Sequence, residues 1–279
     1  VELHLTGDLE EFAARAGALL EGRLEHNQLA TVLLRARSGF HDDGAPLFAF
    51  GEDEEGVVRY AALRTPPWPM LTSIGVQGLD VDELMERWLA EDPGVPGVIG
   101  ELRIAGALAA AWERATGGRS RVAMRSALHV LERLEPPARP ASGRLRLPVA
   151  ADRELLIEWE EGFLADAGID VELAPARLVD ARLAARAQLL WDDEGPVSTL
   201  ATSPEVARTV RIGPVYTPPG NRGRGYASSA VAEVCRRSFE GGAKRCALFT
   251  DLANPTSNRI YGALGFRPVA DWAEIDFER

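Results

Sequence analysis

Apolar positions in this chain follow two rhythms, the alternation of a half-buried strand and the three-to-four spacing of a half-buried helix, and the same succession is written twice. In the first half Leu3 and Leu5 alternate with Glu2 and His4. Asp8 then stands where a cap would open a helix carrying Leu9, Phe12, Ala16, Leu19 and Leu20 on one face. Residues 29–34 predict further helix, and residues 46–50 and 57–63 predict strands around 51–56, an acidic run suited to a solvated hairpin turn. Beyond the rigid stretch Pro66-Pro67-Trp68-Pro69, the pattern predicts a strand over 70–76, a helix from Asp80 through Leu84 and Leu89, and a short strand at 98–99. A helix over 104–115 and a strand over 125–134 follow.

Residues 136–143, reading PPARPASG, have no apolar period and are expected to be a linker between a domain over 1–135 and a domain over 144–279. Past it Leu145 and Leu147 alternate again, and a helix from Asp152 carries Leu155, Leu156, Trp159, Phe163 and Leu164. A helix over 176–185, a strand over 188–191, the turn 192–195 and a strand over 196–201 come next. LFAFGEDEEGVVRYAAL from Leu47 and QLLWDDEGPVSTLA from Gln188 are each a strand, an acidic turn ending in Gly and a second strand. An internal duplication is the economical account.

In the second half the copy leads to VRIGPVYTPPGNRGRGYASSA, from Val210 to Ala230. Alternation through Val215 and Tyr216 predicts a strand that Pro218-Pro219 stops, and Ala227, Ala230, Val231 and Val234 then recur at helical spacing. Gly223 and Gly225 therefore fall in the turn that opens a helix, where free amides, the helix dipole, Arg222 and Arg224 make a candidate anion site. A plain surface turn is the alternative. The Walker pattern is absent, and the dinucleotide fingerprint wants a third glycine where this chain has Ser228. In the first half the overlaid strand 70–76 is followed by Gln77-Gly78-Leu79-Asp80, with no arginine and with an aspartate that would repel a phosphate.

The segment resembles the acyl-CoA-binding motif of the GNAT superfamily of N-acetyltransferases, Gln/Arg-x-x-Gly-x-Gly/Ala, with Arg222, Gly225 and Ala227 at the defining positions. A second block, CALFTDLANPTSNRIYGALGFRPV from Cys246, is similar to the next strand, Asn-containing turn and closing Tyr-x-x-x-Gly-Phe of the family. The resemblance implies an α/β (α+β) fold of two tandem GNAT-like domains, each a mostly antiparallel mixed sheet flanked by helices, the first a degenerate copy. It implies acetyl-CoA as donor, held by Val215, Tyr216, Thr217, Arg222, Gly223, Arg224, Gly225, Tyr226, Ala227, Asn254 and Tyr261, with no metal. The activity expected is transfer of acetyl to the primary amine of a small molecule or peptide. The backbone NH of Val215 would hold the thioester oxygen, Tyr261 would protonate the departing thiolate, and Asn254 would bond the pantetheine arm. No general base declares itself; Glu205 before the key strand is the candidate carried forward, with Glu158 and Glu161 beside it, and Trp159 and Phe163 either line an acceptor pocket or simply pack. A non-catalytic acyl-CoA-binding or regulatory module is the alternative function.

Composition narrows this further. A formal charge of -11, from 31 basic and 42 acidic residues, argues against a nucleic-acid partner and mildly favours a cationic acceptor. Neither a long uncharged apolar run nor a signal-peptide pattern is seen, so no membrane partner and a cytoplasmic location are expected, as a monomer or homodimer. Cys235 and Cys246 lack metal spacing and read as buried small residues. His4, His26, His41 and His129 all lie in the first half, which leaves the motif-bearing half without a local zinc ligand or Ser-His pair; structural or surface roles are expected for all four.

Overall fold

The structure, a computed structural model, describes residues 1–37, 44–169 and 174–278; His41 lies outside them. The first repeat runs β1 (Glu2–Thr6), α1 (Leu9–Gly22), α2 (Asn27–Arg37), β2 (Leu47–Glu52), β3 (Val58–Arg64), β4 (Met70–Thr72), α3 (Val81–Glu91), β5 (Gly97–Glu101), α4 (Leu102–Thr116) and β6 (Arg119–Leu131). The second repeats that order as β7 (Arg144–Arg146), α5 (Arg153–Ala167), α6 (Pro175–Ala184), β8 (Gln188–Asp192), β9 (Pro196–Thr202), β10 (Thr209–Tyr216), α7 (Tyr226–Glu240), β11 (Arg245–Asp251), α8 (Pro255–Ala263) and β12 (Arg267–Glu278). The doubled hydrophobic rhythm of the sequence is thus a doubled order of elements.

The chain divides into two compact units that are not its two linear halves. Unit 1 comprises Val1–Leu128, Asp251–Ala253 and Val269–Arg279; unit 2 comprises His129–Thr250 and Asn254–Pro268. In unit 1, β1, β2, β3 and β4 pair antiparallel in sequence order, and β4 pairs parallel with β5. The sheet then continues onto β12, antiparallel to β5 from Trp272↔Glu101 to Asp276↔Gly97. The last strand of the second repeat thus completes the sheet of the first unit. Trp88, Trp112, Met85, Leu84 and Leu108 of α3 and α4 pack on one face with Val98, Ala273 and Ile275, and Phe12 of α1 stacks on Phe48 at 4.8 Å.

In unit 2, β7, β8, β9 and β10 pair antiparallel and β10 meets β11 in parallel. On one face Tyr226, Ala230, Val231 and Cys235 of α7 and Tyr261 of α8 pack with Leu200, Ile212, Leu248 and Phe266; Leu156 and Trp159 of α5 pack with Val179 and Leu190 in a separate cluster. Cys235 and Cys246 are buried, as expected. The hydrogen bond with the neighbouring Cys246, together with burial, pushes the Cys235 thiol up.

Three local expectations are revised. The strand expected over 70–76 stops at Thr72, and β6 begins at Arg119, earlier than 125. Residues 136–143 do not hang free: the Ala141 amide donates to Ser229 Oγ at 2.8 Å, and Trp191 Nε1 donates to the Ser142 carbonyl at 2.8 Å.

Candidate functional site

The parallel ladder between β10 and β11 is short. It holds Thr209↔Arg245, Val210↔Cys246 and Arg211↔Ala247, after which, among the described residues, β10 continues against β9 alone. The change of partner coincides with a shift of register between Ile212 and Val215, across Gly213 and Pro214. Proline lacks the amide that a further ladder rung would need. Val215 turns its side chain to the α7 cluster and Tyr216 to the α5 cluster, as strand alternation requires.

Past Tyr216 the chain makes a single 3₁₀ turn at Pro219–Asn221 and enters α7 through Gly223 (φ 77°) and Gly225 (φ 82°). Gly225 is the N-cap residue of α7, and no side chain among the described residues caps the helix. Its left-handed φ is why glycine stands there, since a Cβ costs about 1–2 kcal/mol in that region. The first-turn amides of Tyr226, Ala227 and Ser228 precede the first internal bond, from the Ser229 amide to the Gly225 carbonyl at 3.0 Å. A segment with open amides, positive dipole and no resident carboxylate accepts an anion.

The side chains around this turn have partners of their own. Arg222 donates from Nε to the Thr217 carbonyl at 2.9 Å, lies 5.8 Å from the Tyr216 ring centroid and pairs with Asp166 of α5. The Tyr216 ring rests on α5 where Gly162 leaves room; a Cβ there would stand 2.4 Å from the Tyr216 hydroxyl. Tyr226 is buried, with its hydroxyl donating to Asp193 Oδ2 at 2.7 Å, and that bond together with one from Ser142 holds the Asp193 carboxyl below its ordinary range. Arg224 is exposed. The turn thus offers backbone amides and two arginines, while the Tyr226 side chain serves the core.

Tyr261 lies on α8, 8% exposed, with its ring edge-on to Phe266 at 5.9 Å. Burial raises its phenol above the ordinary value, so the hydroxyl remains a proton donor through neutral and mildly alkaline pH. Asn254 caps α8, its Oδ1 accepting from the Ser257 amide at 3.0 Å, which leaves the Nδ2 group as the side chain's donor.

The candidate base is not brought to this place. Glu205 is exposed in the connection between β9 and β10, beyond the bond from the Ser203 amide to the Arg211 carbonyl. Arg211 is already about 13 Å of strand from Val215. Glu158 and Glu161 are exposed on α5, Trp159 packs in the α5 core cluster, and Phe163 is half-buried. Ser198, Gly162 and Asp166, which bear on the site, gave no signal in the sequence because each acts on a residue far along the chain.

Among the described residues no group of three or more His, Cys, Asp or Glu could hold a metal ion, and no helix is long and apolar enough to cross a membrane.

Residues 149–266 match the model of the acetyltransferase (GNAT) family. No curated protein sequence matches the chain. Among solved structures, the chain is similar to a GCN5-related N-acetyltransferase from Sphaerobacter thermophilus at 14% identity and TM-score 0.59, over 99% of this chain and 95% of that one. A tandem GNAT protein from the clavulanic acid biosynthesis pathway aligns at 15% identity and TM-score 0.60, over 99% and 98%. A GNAT-family acetyltransferase from Colwellia psychrerythraea aligns at 10% and 0.61, over 100% and 99%. At these identities the structures speak for the fold, which along the full chain is the tandem one.

Proposed function

We propose, on the match of residues 149–266 to the acetyltransferase (GNAT) family model, that the chain is an N-acetyltransferase that moves acetyl from acetyl-CoA directly to a primary amine, with unit 2 as the donor site. The observation that carries this reading is the ladder that stops at Arg211↔Ala247 and leads into a glycine turn at the uncapped start of α7. Acetyl-CoA supplies the thioester. On this reading the first-turn amides of α7, Arg222 and Arg224 hold its pyrophosphate, and Val215, Tyr216 and Thr217 face its pantetheine arm. The carbonyls of Tyr216 and Thr217 already accept from Ser198 and Arg222.

In the transfer the amine nitrogen bonds to the acetyl carbon and the carbon–sulfur bond breaks. The Val215 amide holds the oxyanion, the Tyr261 hydroxyl gives its proton to the thiolate, and the attacking nitrogen loses a proton to solvent. Tyr261, kept protonated by burial, suits the acid. Because Glu205 lies far from Val215, proton removal from the amine is assigned to a water relay rather than to that carboxylate. The same remoteness is what favours the second reading, a non-catalytic acyl-CoA-binding module.

Calorimetry with acetyl-CoA, followed by thiol release across a panel of primary amines, tests both. Binding with release supports the enzyme, binding without release on any amine supports the module, and no binding overturns both.

A further inference from the structure

Ser198 sits on β9 with no exposed surface, at a position where a strand core ordinarily takes an apolar side chain. A buried hydroxyl is unfavourable unless it is hydrogen-bonded, so its partners indicate what it does. The pairing of β9 with β10 ends at Tyr216↔Thr199, because Pro218 cannot continue the ladder. Ser198 stands at the next rung with its side chain doing what the backbone no longer can. Its Oγ donates to the Tyr216 carbonyl at 2.9 Å and lies 2.8 Å from Thr217 Oγ1, whose hydrogen then points to it. The Thr217 carbonyl accepts from Arg222 Nε at 2.9 Å. A chain of polar contacts therefore runs from the buried sheet through Thr217 to the arginine that leads the glycine turn.

We propose that Ser198 is a positioning residue for acyl-CoA. It fixes the exit of β10 at Tyr216 and Thr217, and through Thr217 it fixes the direction in which Arg222 and the turn 219–225 leave the strand. This rests on the reading of unit 2 as the donor site. Packing alone does not call for the hydroxyl: alanine would fill most of the same space, and only the hydrogen bonds to the exit segment would go.

The test uses the full chain, as Ser198→Ala, Thr217→Val and the double variant. Coenzyme A affinity is read by calorimetry, amide hydrogen exchange over residues 216–222, and steady-state kinetics on an active amine. Ser198→Ala is expected to weaken coenzyme A about tenfold and Thr217→Val about threefold. The double variant should fall short of the product of the two, since both break one chain of contacts. The loss should appear in KM for acetyl-CoA rather than in kcat, with faster exchange confined to the exit and turn. A folded Ser198→Ala chain that binds coenzyme A within twofold of wild type overturns the proposal, as do effects that multiply fully. Should Ser198→Ala not fold, Thr217→Val decides alone, and an unchanged affinity there is contrary. If the wild type binds no coenzyme A, the donor-site reading fails. Exchange then judges the positioning role by itself, which stands if residues 216–222 loosen in Ser198→Ala and falls if they do not.

Discussion

Helices α3 and α7 occupy the same place in the two repeats, each following a strand that pairs in parallel with the next, yet their first turns are built for opposite purposes. At α3 the carboxylate of Asp80 accepts from the amides of Asp82 and Glu83, both at 3.0 Å, so the positive end of the helix is neutralised from within the chain. At α7 the same position is Gly225, which brings no carboxylate, and two arginines flank it. The strands ahead differ in the same sense. After β4 the Ile74 amide donates to Nε2 of the buried His26 at 3.4 Å, while His26 Nδ1 faces the Leu19 carbonyl at 3.0 Å. Burial keeps that imidazole neutral by lowering its pKa, so Nε2 can accept. On the proposed reading, one fold can close its own anion site or leave it open, and a few side chains decide which.

The sharpest way to erase the difference is Gly225→Asp, which gives α7 the charge that α3 carries. Coenzyme A affinity should fall by roughly 100-fold, from repulsion and from the strain of a Cβ at positive φ, with the circular dichroism spectrum retained. Affinity within a few-fold would mean that the anion does not sit on this turn.

Tyr261→Phe separates binding from chemistry at the open site. Loss of the acid should lower kcat by about 10² with coenzyme A affinity unchanged. Because burial raises the Tyr261 phenol, the wild type should keep its acid past pH 10, so a fall in kcat that begins near neutrality and is absent from the phenylalanine variant would contradict the role.

Most of the succession of elements is legible in the sequence, because alternation and helical spacing mark strands and helices that bury one face. Asp8 was legible as a cap, and Asp80 as the start of a helix that it in fact caps, for the same local reason. What escaped depended on partners distant along the chain. The alternation in 70–76 outlasts the ladder, since Ile74 bonds to a histidine side chain instead of a strand. The start of β6 at Arg119 is half-buried at most and carries no regular apolar alternation, so it shows no period. Neither the strand β12 nor its pairing with β5 was read from the sequence. At the site the turn, Gly225, Tyr261 and Asn254 were read from local motif. Ser198 and Gly162 were not, because nothing in their surroundings shows that they support Tyr216 and Thr217.

Two smaller effects probe each side of the comparison. Asp80→Ala should lower stability by about 1 kcal/mol, the ordinary worth of an N-cap, and leave coenzyme A affinity at unit 2 unchanged. Urea denaturation and calorimetry measure the two; a change in affinity would tie α3 to donor binding. Asp166→Asn frees Arg222 from its carboxylate and should tighten coenzyme A by about two- to threefold, less so in high salt, as expected of a half-exposed ion pair. In an Arg222→Gln background the same change should have no effect; a persisting gain would show that Asp166 acts through its field on the ligand and not through Arg222.

The central claim is that of two like repeats only one keeps a donor site, and the most direct test is the stoichiometry of coenzyme A binding to the wild-type chain by calorimetry. The account predicts saturation at one molecule per chain. Two molecules per chain would show that Asp80 and His26 do not close unit 1, and none would show that the glycine turn of α7 does not hold the donor.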